Sequence, residues 1–343
     1  MDAHSPQSNQ DYSVCSRESK RTLYSALAEH GSVDAHDQTH VVNFLASASN
    51  YGLPGPVECI ETANYYLFLS GPYCFKLFRQ CPKDAASGEP PRRHSLEERY
   101  QLALREIEFG QLYSPKLYLG LVPVWQRDAA LFMQVPQTAN GEQPSLKHVA
   151  LQQDVIADWV IVLHRYDASN SFDRFVEHYQ PNYIECQKLA HLFEPKSGEE
   201  VIDQQGESWL TFLYKSLEDL EPFVRSCDSK TKKNTLRACL NRAKGQLDRS
   251  KPAILHREDH GLFRHIHGDV KLSNVVDLRD NFCLINPRVE DEHGAMTELI
   301  GDPFYDIAAL VGELWSRNLN KQANWVFPII AADSLTAMPS TVC

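Results

Sequence analysis

Residues 57–79, VECIETANYYLFLSGPYCFKLFR, constrain the chain more than any other stretch. They hold three runs rich in β-branched and aromatic residues, VECIET, NYYLFLSG and YCFKLFR, separated by two very short turns. A parallel crossover needs about a dozen residues, so turns this short predict an antiparallel meander. In the middle of the third run stands Lys76, between Phe75 and Leu77. A lysine in an apolar strand is costly unless its ammonium reaches a partner. Glu106 and Glu108 on the next helical segment are candidate partners; an edge-strand lysine pointing into water is the alternative.

The flanking segments extend this pattern in both directions. Residues 1–20 are polar and predict a disordered tail. VDAHDQTHVVNFLASASNYG then places Val41, Val42, Phe44 and Leu45 on one helical face and ends at Gly52, before the breaker LPGP. After a polar, proline-rich loop, SLEERYQLALREIEFGQLYS predicts a helix. Ser95 and Glu98 form its capping box, and Leu102, Leu104, Ile107 and Leu112 its apolar side. LYLGLVPVW, ALFMQV and DWVIVLHRYD predict further strands.

From residue 171 the pattern turns helical: FDRFVEHY, IECQKLAHLF, ESWLTFLYKSLEDLEPFV and TLRACLNRAKGQL. VVDL and FCLI form a small hairpin across RDN, and FYDIAALVGELW is a mostly apolar helix. With 343 residues, more than one compact core usually holds, the chain predicts two lobes of α+β class. An antiparallel β-sheet lobe with one helix and a preceding N-terminal helix covers 21–165. A mainly helical lobe covers 166–343.

The balance of 34 Lys and Arg against 45 Asp and Glu, −11, argues against nonspecific binding to nucleic acid or anionic membranes. A locally basic pocket for phosphates remains compatible with it. The nine cysteines are scattered without a C-x-x-C pair, which favours reduced, buried thiols. No signal-type leader and no membrane-length apolar run are seen, so the expected location is cytoplasmic.

The chemistry concentrates in HIHGDVKLSNVVDLRDNFCLINPRVED, residues 265–291. Phosphoryl transfer needs a carboxylate for the attacking hydroxyl and a nearby oxygen ligand for the cation on the nucleotide phosphates. Asp269 and Asn274 have the matching offset, and the FCLI strand delivers Asn286 to the same place. The histidines 256, 260, 265 and 267 raise a zinc site as an alternative, although Gly261 interrupts a helical spacing and no H-E-x-x-H appears. No Walker-type loop, G-x-G-x-x-G turn or G-x-S-x-G elbow is present.

Together, VECIETANYYLFLSGPYCFKL, REIEFGQLYSPKLYLGLVPV, DWVIVLHRYDASNSFDRFVE, HIHGDVKLSNVV and GDPFYDIAAL resemble the aminoglycoside phosphotransferase-like branch of the protein-kinase-like fold. The chain is most similar to a bacterial kinase-like group in that branch, some of whose members carry an added P-loop ATPase domain. The resemblance implies a two-lobe kinase-like fold using ATP and Mg²⁺, with a nucleotide and a small-molecule acceptor as partners. Lys76 would grip the phosphates and Glu106 would pair with it. Leu163 and His164 would lead into the hinge that receives adenine. Asp269 would be the catalytic carboxylate, with His267 and Gly268 shaping its turn. Asn274 would be a metal ligand and Asp306 a buried brace.

Two departures from the family accompany the match. Asn286 stands where the family places the main carboxylate ligand of the metal; Glu290 and Asp291 could replace it only if the chain folds back. The family also continues with helices after YDIAAL, whereas WVFPIIAADSLTAMPSTVC shows no clear helical periodicity. The expectation is therefore an ATP-dependent phosphotransferase acting on a small-molecule hydroxyl. Its alternative is a degenerate kinase-like nucleotide-binding or scaffold protein with little activity. Acidic segments GEEVIDQQGES and SLEDLEP would suit a cationic acceptor, or simply form a solvated surface.

Overall fold

A computed structural model describes residues 38–80, 93–134, 154–193, 206–278, 281–289 and 299–326. The expected tail over 1–20, the proline-rich loop, Glu290 and Asp291 lie outside the described residues. The chain divides into two compact units, one ending at Arg165 and one beginning at Tyr166; the second also takes Leu112–Ser114. The class is α+β, with an antiparallel sheet and helices in the first unit and a mainly helical second unit.

In the first unit, β1 (Glu58–Glu61), β2 (Tyr65–Ser70) and β3 (Tyr73–Phe78) form the expected meander. β4 (Tyr118–Arg127), β5 (Ala130–Phe132) and β6 (Val155–His164) complete a six-stranded sheet in the order β1-β2-β3-β6-β4-β5. Every residue of β3 is buried, because both faces of the sheet are covered. Helix α1 (Thr39–Leu45) packs Val41, Phe44 and Leu45 against Phe75, Leu77, Val160 and Val162. Helix α2 (Leu96–Tyr113) packs Leu96 and Tyr100 against Trp125, Ile156 and Trp159. Its capping box forms as expected, Ser95 N donating to Glu98 Oε2 at 2.8 Å and Glu98 N to Ser95 Oγ at 3.1 Å.

The upstream helix is shorter than the expected run to Gly52. It stops at Leu45, and a separate 3₁₀ turn over Ala48–Tyr51 ends at Gly52 in the left-handed region. The reason is local: Ser47 is extended, and Asn50 Nδ2 donates to the Phe44 carbonyl at 2.8 Å, taking the place of a further helical amide.

The second unit contains α3 (Phe172–His178), α4 (Tyr183–His191), α5 (Gly206–Glu218), α6 (Leu220–Ser226), α7 (Lys230–Asp259) and α8 (Phe304–Ser316). Short strand pairs join β7 (Arg264–His265) to β10 (Ile300–Gly301) and β8 (Val275–Asp277) to β9 (Phe282–Leu284). The expected helix ESWLTFLYKSLEDLEPFV is split into α5 and α6 at Asp219. Helix α7 runs past TLRACLNRAKGQL and through Pro252, because Leu247, Ile254 and Leu255 continue its packing against Trp209 and Phe263. Residues 320–326 are helical, including the Trp325–Val326 end that shows no periodicity in sequence; Ala323 and Val326 are fully buried in the main core of this unit. Among the described residues no helix is long and apolar enough to cross a membrane.

One polar anchor ties α2 to the sheet. Arg99 Nε and Nη2 each donate to Asp158 at 3.0 Å, and Gln38 Nε2 donates to the same carboxylate at 2.8 Å. Both members of the ion pair are buried, so removing one strands the other's charge. Asp158→Ala is expected to lower stability by about 3–5 kcal/mol. Glu177→Ala, which breaks the exposed pair with Arg174, is expected to cost at most about 1 kcal/mol. Urea unfolding of the two variants measures the contrast.

Candidate functional site

The first unit contributes a buried ion pair. Lys76 stands on the α2 face of β3, directly opposite Leu67 and Ile161. Its Nζ lies 2.5 Å from Glu106 Oε1 and 3.7 Å from the centroid of the Tyr65 ring. Lys76 is 3% exposed and Glu106 0%, so the alternative of a water-facing lysine does not hold. Glu106, not Glu108, is the partner. Tyr118 Oη also donates to Glu106 Oε1 at 3.3 Å, and Gly110 makes room for that ring, since a Cβ there would collide with it. Glu106 Oε2 is buried and takes no hydrogen bond from any described residue. Two residues along β3 on the same face, burial pushes the Cys74 thiol up to about 12, so it stays neutral beside the lysine.

Leu163 and His164 separate onto different faces. Leu163 pairs with Cys74 and is buried on the Lys76 face. His164 pairs with Tyr73 and stacks on its ring at 6.5 Å, on the α1 face. The strand alternation places only Leu163 with Lys76.

The second unit builds the loop around Asp269. Helix α8 presents the buried Asp306, which accepts from His267 N at 2.7 Å and Gly268 N at 2.9 Å. Gly268 has φ +73, and a Cβ there would run into Leu299, so glycine is required on both counts. Two helical turns on, Glu313 accepts from Leu272 N and clamps the other end of the loop. Val270, Leu272 and Val275 bury the intervening positions in the core of this unit.

His267 is fully buried. Its Nε2 donates to the Ile285 carbonyl at 3.0 Å, and its Nδ1 accepts from Asp269 N at 3.3 Å. Burial lowers its pKa to about 4, outweighing the nearby Asp269 charge. Burial also raises Asp306 to about 6 against the two backbone hydrogen bonds that favour its charged form. The imidazole is thereby a neutral strut between the loop and Ile285, just beyond β9, uncharged near neutrality.

Asp269 itself is 43% exposed. Lys271 Nζ donates to its Oδ2 at 2.8 Å and Asn274 Nδ2 at 3.0 Å, while Asn274 Nδ2 also reaches the Asp269 carbonyl at 2.8 Å. No described residue donates to Oδ1. Asn286 Nδ2 donates to Asn274 Oδ1 at 3.2 Å, so Asp269, Asn274 and Asn286 are brought together in one hydrogen-bonded chain. Asn286 has φ 57, a left-handed conformation that asparagine tolerates better than most side chains.

Asn274 Oδ1, a turned-over Asn286 amide and Asp269 carry one negative charge between them. Mg²⁺ is usually bound by one or two carboxylates together with substrate phosphates. The set therefore fits an ion that arrives with phosphates and does not fit a resident free ion. Among the described residues no three His, Cys, Asp or Glu side chains are grouped to hold a metal. His256 and His260 lie together at the end of α7, ring centroids 4.0 Å apart, while His267 is committed to Ile285 and Asp269; the four histidines do not converge.

Several site residues escaped sequence reasoning. Lys271 lies within HGDVKLSN but carries no motif weight on its own. Glu313 was detectable only as an acid two turns from Asp306 on an otherwise apolar helix. Ser114, whose Oγ donates to the Leu284 carbonyl at 2.6 Å, had no signal.

The two buried groups predict a linked pH response. His267 is neutral when folded and protonates more readily when unfolded, so its contribution to stability is lost as pH falls from 6.5 toward about 4. Asp306 binds its proton more tightly when folded, so its contribution is lost as pH rises from 3.8 through about 6. The slopes oppose each other. Denaturant unfolding across this range is expected to show a steeper loss of stability on acidification in Asp306→Asn than in the unaltered protein; equal slopes would contradict the assignment.

No protein-family model matches this sequence, and no curated protein does. Solved structures similar to it include a choline/ethanolamine kinase family protein from Mesorhizobium loti, at 12% identity and TM-score 0.42, covering 86% of this chain and 76% of that one. Choline kinase from Cryptosporidium parvum is similar at 10% identity and TM-score 0.42, covering 88% and 81%. An ADP-bound aminoglycoside phosphotransferase is similar at 12% identity and TM-score 0.38, covering 88% and 84%.

Proposed function

We propose that the protein is an ATP-dependent phosphotransferase of protein-kinase-like fold that moves the γ-phosphoryl group of ATP onto a hydroxyl of a small molecule. The observation that carries this reading is the Asp269 carboxylate. One of its oxygens is fixed by Asn274 and Lys271, the other has no described donor, and its loop hangs on a buried carboxylate, Asp306. A hydroxyl nucleophile needs such an oriented oxygen to receive its proton as the new O–P bond forms and the bond to the β-phosphate oxygen breaks, releasing ADP. The buried Lys76–Glu106 pair supports the same reading from the first unit. A buried pair is weak evidence of stabilisation, and a lysine held rigidly by a carboxylate is suited to phosphate oxygens.

In this assignment Lys76 binds the nucleotide phosphates and Glu106 positions it. The end of β6 at Leu163 and His164 receives adenine, with Leu163 supplying the side chain on the Lys76 face. His267 and Asp306 hold the loop. Asn274 and Asn286 would hold a magnesium ion delivered with the phosphates, where it would offset charge on the transferring group.

One observation favours a second reading, a kinase-like protein that binds nucleotide with little turnover. Asn286 Nδ2 donates into the Asn274 oxygen that a cation would use, and no carboxylate stands at position 286. ATP turnover with Mg²⁺ or Mn²⁺ separates the readings. A phosphotransferase turns over ATP with a candidate alcohol, and Asp269→Ala lowers kcat by about 10²–10⁴. Turnover that is absent until Asn286→Asp is introduced selects the second reading. Failure of the chain to bind ATP at millimolar concentration overturns both.

A further inference from the structure

The α6–α7 hairpin carries a charge that the rest of the chain does not share. Over residues 225–237, where α6 ends and α7 begins, Arg225, Lys230, Lys232, Lys233 and Arg237 stand against one acid, Asp228, on a chain of net charge −11. All five except Lys233 are exposed, and none forms an ion pair with a described residue. Internal neutralisation begins further along, where Lys244 meets Glu221 at 3.7 Å. The three lysines fall at the start of α7, where folding alone favours acids, and no acid stands in that turn.

Apolar surface accompanies the charge. Phe223 is 66% exposed and Leu220 49%, while Val224 of the same helix is buried. Only Cys227–Ser229 separate α6 from α7, so the end of α6 and the start of α7 share one tip.

We propose that this tip, together with the exposed Leu220–Phe223 face of α6, docks on an anionic membrane surface, with Phe223 and Leu220 entering the interface and the five cations meeting lipid phosphates. A lipid interface accepts apolar side chains without a shaped pocket and cations without fixed register. A nucleic-acid backbone would use the cations and leave Leu220 without a role. The whole-chain charge, which argues against such binding on average, confines it to this tip by repelling the surface elsewhere.

Sedimentation of the full chain with vesicles tests the proposal. Binding is expected to vesicles of phosphatidylglycerol and phosphatidylcholine in equal parts, to fall with added salt, and to be absent on phosphatidylcholine alone. Each basic residue near such a surface is worth about fivefold in affinity. K230E/K232E/K233E together should therefore weaken binding at least about a hundredfold. Removing the exposed ring with Phe223→Ser should weaken it about tenfold. These positions are exposed or half-buried, and far-UV circular dichroism should match the unaltered protein. The proposal is overturned by absence of binding, by equal binding to uncharged vesicles, or by indifference to either variant. It is also overturned if duplex DNA displaces the vesicles while Phe223→Ser has no effect, which would make the tip a nucleic-acid surface.

Discussion

A single carboxylate sets the geometry of the loop that contains Asp269. Asp306 accepts from two consecutive backbone amides, His267 and Gly268, at a point where Gly268 turns the chain through the left-handed region. Those amides could not find helical or strand partners in that conformation, and leaving them unpaired in a buried turn would be costly. Once they are held, the His267 ring reaches Ile285, Asn274 reaches back to Asp269, and Asn286 closes on Asn274. Glu313 repeats the device two turns along the same helix. Helix α8 thus acts as a rigid ruler against which a loop without regular structure is measured.

The two buried ion pairs of the first unit differ in how completely they are satisfied. In the first, Arg99 and Asp158 share their charge with Gln38 and a backbone amide, and every contact is internal to the fold. Lys76 and Glu106 are at least as deeply buried, yet Glu106 leaves one oxygen without a described donor. A pair kept for stability would gain from satisfying that oxygen, or from replacement by apolar side chains. The Lys76–Glu106 pair is thus the less complete of the two.

The elements legible in sequence were those set by short-range rules. The meander followed from two short turns and the start of α2 from Ser95 and Glu98, while the cost of an unpaired lysine in an apolar strand pointed to Glu106 or Glu108 as a partner for Lys76 without choosing between them. What escaped was set by tertiary context. The break at Ser47, the division between α5 and α6, and the passage of α7 through Pro252 depend on which side chains find a core to pack against. His164 was grouped with Leu163, but strand alternation sends it to the opposite face. Asn286 is the sharpest case. In sequence it is only the loss of a charge, whereas its φ of 57 shows a backbone demand that asparagine answers well.

The strand order of the first unit has a consequence for how the chain acquires its structure. β6 is the last strand of the sheet to be made, yet it lies between β3 and β4, which have no pairing with each other. On a ribosome the meander and the β4–β5 hairpin emerge as two separate pieces, each with an open edge. Neither edge is closed until Val155–His164 arrives, and its pairing with β3 spans a large sequence separation, which slows assembly. Until then the apolar strand around Lys76 is an unpaired edge, the feature most exposed to association with other chains during synthesis.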